Sequence, residues 1–272
     1  MIELRKRPII TLLTDFGLID SYVAEIKAVI LSICPETYII DISHNIRKFD
    51  IKMGSFLLMR ASKFFPKGTI HVAIVDPEVG GERRPIMVEC ERNLYVGPDN
   101  GLLIPSARRE GIKHIYVIEN PKYMLKEISR TFHGRDIFGP AAAYLAKGVP
   151  PSEFGREIFD PIVPSFAEPK VYGDFIEGEV IHIDNFGNII TNITYDYLRS
   201  LGIKEGSLLG VRLKDKDLRL KLCSAYSEAE INMPLLIVGS ADFLEISVNR
   251  GNASKFFGVR TDEKIIIYKI SE

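Results

Sequence analysis

A proline-rich stretch, Asp160–Lys170 (DPIVPSFAEPK), separates two halves whose hydrophobic patterns fit different layer architectures. Before it, apolar runs alternate with segments of helical period. Pro8–Thr14 (PIITLLT) is almost wholly apolar, the pattern of a strand buried on both faces. Asp20 stands where an N-cap would, and Val23, Ile26, Ile30 and Ile33 follow at helical spacing up to Pro35. Thr37–Asp41 reads as a strand, Ile51–Phe65 as a helix and Gly68–Asp76 as a third strand. Pro85–Glu89 and Leu94–Val96 flank Glu91-Arg92-Asn93 as the arms of a hairpin would, which makes the sheet mixed. His114–Ile118 follows, then an alanine-rich helix over Ile137–Lys147 that stops at Gly148.

Beyond the prolines the period changes. Short β-rich runs recur between Gly or Asn turns: Phe175–Ile183, Ile189–Ile193, Leu208–Leu213, Leu218–Cys223, Leu235–Val238, Phe243–Val248 and Lys264–Ile270. Regular short strands of this kind suit a small barrel or sandwich. The expectation is an α/β N-terminal domain over residues 1–160 with a mixed, mostly parallel sheet. A linker over 161–170 and a small all-β, barrel-like C-terminal domain over 171–272 complete it.

Charge excludes some partners. Lys and Arg number 35 against 36 Asp and Glu, so no overall field attracts nucleic acid or an anionic membrane. No apolar stretch reaches the ~18 residues of a spanning helix. The basic start MIELRKR leads into an apolar run that ends at Asp15 without a small-residue cleavage site, unlike a signal peptide. Cys34, Cys90 and Cys223 are odd in number, far apart and without a C-x-x-C pair, as in a reducing compartment. A cytoplasmic protein is expected. Glutamine is absent while Lys, Glu and Ile abound, a bias of heat-adapted chains.

Familiar chemical motifs are missing. There is no G-x-x-x-x-G-K-[ST] and no G-x-G-x-x-G. Asp15-Phe16-Gly17 spells a kinase metal motif, yet no ATP-binding lobe fits before it. The five histidines (44, 71, 114, 133 and 182) show no zinc-ligand spacing. What remains lies at strand ends. Asp15 closes the first strand, where a carboxylate serves either a ribose or a local turn. Asp76 closes the third, and Pro77, Gly80 and Gly81 make an exit loop able to return Arg83 toward it. The alternative is a structural turn with a surface arginine. His133, in Thr131-Phe132-His133-Gly134-Arg135-Asp136, precedes a helix and is by itself either chemical or merely solvated. Asp184-Asn185-Phe186-Gly187-Asn188 is either a hairpin loop or a ligand loop. Gly239-Ser240-Ala241-Asp242 and Asn249-Arg250-Gly251-Asn252 bracket a strand with the same ambiguity.

In order along the chain, however, these signals resemble one family. Leu13-Thr14-Asp15-Phe16-Gly17, Asp20, Tyr22-Val23 with Lys27, Asp76-Pro77-x-Val79-Gly80, Pro98-x-Asn100-Gly101-Leu102, Phe132–Asp136, Asp184-x-Phe186-Gly187-Asn188 and the late Gly239-Ser240 and Asn249-x-Gly251-Asn252 are similar to the S-adenosylmethionine hydroxide adenosyltransferases. These are adenosine-forming hydrolases related to the fluorinase and chlorinase enzymes, and the likeness runs from about residue 10 to residue 253. The resemblance implies an α/β domain followed by a β-barrel. It also implies a homotrimer that holds S-adenosylmethionine (SAM) between one subunit's first domain and a neighbour's second. It assigns Asp15 to the ribose hydroxyls, and Asp184 and Ser240 to the amino and carboxylate ends of methionine. Phe186 and Asn188 fall to the adenine region, with backbone near Val248 and Arg250. Asp76, Arg83 and His133 match the triad of the branch that uses water; in the halogenases a tyrosine replaces the aspartate and the histidine is absent. Ala241 stands where the fluorinase has an arginine on the methionine carboxylate, and Ile190 where it stacks an aromatic on adenine.

The implied reaction is hydrolysis of SAM to adenosine and methionine by in-line attack of water on ribose C5′. Methionine leaves as a neutral thioether, so neither a metal nor a further cofactor is expected. His133 or Asp76 would take the proton and Arg83 would stabilise the developing oxyanion. The alternatives are a halide-dependent 5′-halo-5′-deoxyadenosine synthase and a non-catalytic adenosine- or SAM-binding protein.

Overall fold

The nearly continuous apolar runs of the first half become the middle strands of one sheet, since a strand covered on both faces needs no polar side. The computed structural model describes residues 7–164, 166 and 168–270. It divides into two compact units between residues 164 and 165. Of the expected domain and linker spans, residues 1–6, 165, 167, 271 and 272 lie outside the described residues.

The first unit runs β1 (Ile9–Thr14), α1 (Tyr22–Ile33), β2 (Tyr38–Ser43), α2 (Ile51–Ser62), β3 (Ile70–Ile74), β4 (Pro85–Cys90), β5 (Leu94–Pro98), α3 (Ile104–Glu110), β6 (Ile112–Val117) and α4 (Gly139–Ala146). Its sheet has the order β2-β1-β3-β5-β4-β6. β2, β1, β3 and β5 are parallel, while β4 is antiparallel to both β5 and β6. The sheet is thus mixed and mostly parallel, and the hairpin across Glu91-Arg92-Asn93 is present. Ile26 and Ile30 of α1 and Ala141–Ala143 of α4 pack in one core with Ile10, Leu12 and Ile74. Leu58 of α2 joins Leu13, Val75, Ile86 and Leu102 in another.

This topology places the site. β2 pairs with one edge of β1 and β3 with the other, in the register Thr14↔Ile74. Strand order therefore reverses between β1 and β3. Beyond the carboxyl ends of strands flanking such a reversal an open α/β sheet leaves a crevice for ligands. Asp15 and Asp76 lie immediately beyond those two ends.

Local boundaries depart from the periodicity in places. α1 is opened by Ser21, not by Asp20, and the Ser21 hydroxyl donates to Glu25 Oε1 at 2.6 Å. α2 is capped by Asp50, which accepts from the Met53 N–H at 2.8 Å, and it ends at Ser62 instead of Phe65. The helical path into α4 starts before the alanine run. Gly134–Phe138 is a π-turn whose ladder bond runs from the Gly139 N–H to the Gly134 carbonyl.

The second unit runs β7 (Lys170–Tyr172), β8 (Phe175–Ile183), β9 (Ile189–Thr194), α5 (Tyr195–Ser200), β10 (Leu208–Leu213), β11 (Lys216–Cys223), β12 (Pro234–Val238), β13 (Phe243–Val248), α6 (Ala253–Phe257) and β14 (Lys264–Lys269). Among the described residues, β14-β10-β11-β12-β13-β9-β8 closes through the β14–β8 pairing into a seven-strand barrel, with β7 added on β8. Closure removes the exposed edges a small sheet would otherwise present. Leu244, Ile246 and Val248 of β13 face the barrel core with Ile176, Val180, Leu236 and Ile267. No described helix is long and apolar enough to cross a membrane. All three cysteines are buried and unpaired by disulfide.

Candidate active site

Asp76 leaves β3 into a turn that returns the chain. The Gly81 N–H donates to the Glu78 carbonyl at 3.0 Å, and Gly80 adopts φ +78°. A Cβ on Gly80 would lie 2.1 Å from the Arg130 carbonyl oxygen, so only glycine lets this turn press against the segment that leads to His133. Asn100 steadies the end of β3 by donating its Nδ2–H to the Val75 carbonyl at 2.8 Å.

Arg83 is thereby carried back to Asp76. Its Nε lies 3.0 Å from each Asp76 oxygen and its Nη2 2.5 Å from Oδ2. The same Nη2 donates to His133 Nδ1 at 2.8 Å. The side chains of Arg83 and Asp76 are only 2% and 5% exposed, which excludes the surface-arginine alternative. The guanidinium carbon also sits 5.3 Å from the Phe138 ring centroid. Burying such a pair costs several kcal/mol per ion unless hydrogen bonds compensate, and the four contacts donated by Nε and Nη2 do so here. Arg83 Nη1, however, is buried and has no hydrogen-bond partner among the described residues.

His133 introduces the π-turn, and such turns recur at functional sites because the extra residue re-aims a side chain. Arginine has no acceptor, so His133 Nδ1 must accept from Nη2, leaving the imidazole hydrogen on Nε2. Burial, and then the Arg83 charge, holds the His133 pKa below its ordinary value, against smaller opposite effects of Asp76 and Asp136. Neutral His133 therefore offers an N–H at Nε2.

Asp15 does not serve its own turn. The Phe16 N–H goes instead to Thr14 Oγ1 at 3.3 Å. Asp15, 5% exposed, accepts a bond across the sequence from the Phe49 N–H at 2.9 Å. Phe49 holds φ +65° and its side chain is 65% exposed. It precedes the Asp50 cap, where an apolar residue normally packs on the fourth helical position; that position is Gly54, so a staple is impossible. This missing staple was the available signal for Phe49. Phe16, Tyr22 and Phe132 meet edge-on with centroids 5.2–5.9 Å apart, linking the Asp15 turn to the residue before His133.

In the second unit the local reading is stronger. Asp184 Oδ1 accepts from the Phe186 and Asn188 N–H groups and Oδ2 from Asn188 Nδ2, each at 2.9 Å. Asp184 thus shapes the hairpin loop and leaves Phe186 78% exposed. Gly187 abuts Asn252, and the Ser254 N–H donates to the Gly187 carbonyl at 2.9 Å, so the two expected ligand loops are neighbours. Ser240 is exposed in the 239–242 turn, and Arg250 is exposed at φ +55°. The Val248 side chain belongs to the barrel core, leaving only its backbone for a ligand. Among the described residues no three His, Cys, Asp or Glu side chains gather in a metal-holding group.

Family models for the SAM hydroxide adenosyltransferase N-terminal and C-terminal domains match residues 10–155 and 178–266. A Methanocaldococcus jannaschii protein named (R)-S-adenosyl-L-methionine hydrolase is 39% identical over 96% of both chains. A Thermus thermophilus protein of the same name is 34% identical, covering 91% of this chain and 94% of its own. A fluorinase of Actinoplanes is 29% identical over 89% of this chain and 91% of its own. The crystal structure of an uncharacterised conserved protein from Thermotoga maritima superposes with a TM-score of 0.90 at 37% identity, covering 96% of this chain and all of that one.

Proposed function

The chain belongs to the SAM hydroxide adenosyltransferase family and hydrolyses S-adenosylmethionine to adenosine and methionine; we propose that Asp76, Arg83 and His133 prime the attacking water while Asp15 holds the ribose. The observation that carries this is the single guanidinium bonded at once to a buried carboxylate and to an imidazole nitrogen.

Free hydroxide is not the nucleophile. Water has a pKa of about 15.7, and generating hydroxide with an imidazole or a carboxylate would cost roughly 12–16 kcal/mol. The oxygen becomes acidic only as its bond to C5′ forms, so proton transfer accompanies attack. Arg83 occupies His133 Nδ1, and Nε2 already carries a hydrogen, so the histidine has no lone pair to spare. Asp76 keeps acceptor capacity beyond its bonds to Arg83 and takes the proton. The Nε2–H of His133 orients the oxygen, and the Arg83 charge bonded to that ring stabilises the negative charge as it develops. The O–C5′ bond forms as the C5′–S bond breaks, its electron pair passing to sulfur. Methionine departs as a neutral thioether and requires no proton, metal or organic cofactor. Asp184, Phe186, Asn188, Ser240, Arg250 and the Val248 backbone serve the methionine and adenine ends. The reading includes a homotrimer with sites at subunit interfaces and a cytoplasmic location. The family resemblance supports the trimer and the buried, widely spaced cysteines the location, and light scattering reads the oligomer.

The purified protein with SAM in ¹⁸O-labelled water is expected to yield adenosine labelled at the 5′-oxygen, plus methionine. Unlabelled adenosine would reject solvent attack at C5′. The carboxylate of Asp76 repels a halide, so the product is expected to be the same in chloride; a 5′-chloro nucleoside would favour the halide reading.

The pH dependence follows from the His133 tautomer. Protonation at Nδ1 destroys its bond from Arg83 and places a second cation beside the guanidinium. Activity is therefore retained down through the ordinary histidine range, about pH 6.5, and lost only as pH falls through the lowered pKa of the folded state. A kcat profile of wild type against His133→Asn checks it: the acid limb is expected to shift or vanish in the variant, and an unchanged limb assigns it elsewhere.

A further inference from the structure

The histidine that grips the chain on both sides of Asp15 has no part in the triad. His44, directly after β2, is buried to 4% exposure. Its Nδ1 lies 2.8 Å from the Thr14 hydroxyl, and its carbonyl accepts the Gly17 N–H at 2.8 Å. Its Nε2 lies 3.1 Å from Asp41 Oδ1, and Lys27 Nζ lies 2.6 Å from Asp41 Oδ2.

Hydrogen-bond direction orders this chain. The Asp41 carboxylate beside Nε2 only accepts, so the imidazole hydrogen belongs on Nε2 and Nδ1 accepts from the Thr14 hydroxyl, whose oxygen also accepts the Phe16 N–H. The Nε2–Asp41 contact is at ion-pair distance without the alignment of a hydrogen bond. Lys27, Asp41, His44 and Thr14 form one relay running from the surface into the β1 turn. Its form resembles a nucleophile–base–acid triad, yet Thr14 is 0% exposed and reaches no substrate. The relay ends at the residue before Asp15, while the His44 carbonyl holds the residue two beyond it. The β1–β2 register slips between Leu12↔Asp41 and Leu13↔Ser43, and this irregularity lies at the strand end that leads from Asp41 to His44.

We propose that His44 is a positioning residue for SAM binding: through Thr14 and Gly17 it fixes the turn that aims the Asp15 carboxylate at the ribose. The inference rests on the ribose role of Asp15. Two near-isosteres separate the contacts of the ring. Asparagine at position 44 places an amide oxygen near the place of Nδ1 and keeps the Thr14 contact while losing Asp41. Glutamine reaches the place of Nε2 and keeps Asp41 while leaving the Thr14 hydroxyl without its acceptor.

His44→Gln is expected to raise KM for SAM and weaken adenosine binding by calorimetry by about tenfold or more, with kcat at saturation within about twofold. His44→Asn is expected to stay within about threefold of wild type in both. A merely structural histidine would lower the melting temperature of both variants and leave adenosine affinity unchanged in the folded protein; that result overturns the inference, as does equal damage in the two. Asp15→Asn distinguishes the premise. Unchanged adenosine affinity in that variant defeats the ribose role itself, whereas weakened binding there beside unaffected binding in His44→Gln defeats only the positioning role.

Discussion

Arg83→Ala is expected to lower kcat by about three orders of magnitude while adenosine binds within about threefold of wild type. A single preorganised donor to a developing oxyanion contributes 10²–10³ in rate, and Arg83 does more than donate. It grips both oxygens of the Asp76 carboxylate, fixes the His133 tautomer and places a positive charge beside them. Its removal strands a carboxylate only 5% exposed, and breaking one side of a buried pair destabilises by about 3–5 kcal/mol. A lower melting temperature is therefore expected too, and retained adenosine binding shows that the folded protein is being assayed. Arg83→Lys keeps the charge but not the fork, since an ammonium cannot repeat the same bonds to Asp76 and His133; a loss of about 10² is expected. Adding Asp76→Ala to Arg83→Ala is expected to cost little more, because residues acting as one unit lose their effect together. Activity of Arg83→Ala within tenfold of wild type would remove the triad from the mechanism.

The return of Arg83 to Asp76 was legible because it is local: a proline and two glycines over a few residues leave the chain few exits. The sheet was legible for a related reason. PIITLLT has no polar face, so it must be covered on both sides, and helices of matching period flank it. Barrel strands showed through their turns, but α5 and α6 are too short for their period to stand out from the β-rich sequence around them.

Long-range satisfaction of polar groups is what a linear reading lacks. Asp15 and Asp184 look alike as strand-end carboxylates. One is left out of its turn because Thr14 takes the Phe16 N–H, while the other is filled by its own loop. Nothing within a few residues of either separates them. The π-turn at His133 has the same origin: Gly134 sits against Ile26 and Ile74, so packing on α1 and β3 decides the extra residue. His44 carried no signal because its partners, Thr14 and Asp41, come from two strands joined only by sheet register.

The second large effect concerns binding. Asp15→Ala is expected to weaken adenosine affinity and raise KM for SAM by about 10² or more. The carboxylate is 5% exposed and, among the described residues, accepts one bond, from the Phe49 N–H. A carboxylate offers about four lone-pair sites, which leaves capacity for both vicinal hydroxyls of a ribose. Hydrogen bonds to a charged group contribute about 1.5–3 kcal/mol each, and about 1.4 kcal/mol is tenfold in affinity. Two such bonds give 10²–10⁴. The lower end is expected because the variant no longer has to strip water from a buried anion before it binds. Comparing adenosine with its 2′-deoxy and 3′-deoxy forms isolates the contact. Each missing hydroxyl is expected to weaken binding about tenfold or more in wild type and only slightly in Asp15→Ala, since the acceptor is already gone. Equal sensitivity of the two proteins to deoxygenation would place the ribose elsewhere. Insensitivity of the wild type would show that neither hydroxyl meets a charged group, and the crevice between β1 and β3 would lose its ligand. kcat at saturation is expected to fall far less than KM rises, because Asp76, Arg83 and His133 are held by β3, its exit loop and the π-turn, none of which depends on the Asp15 side chain.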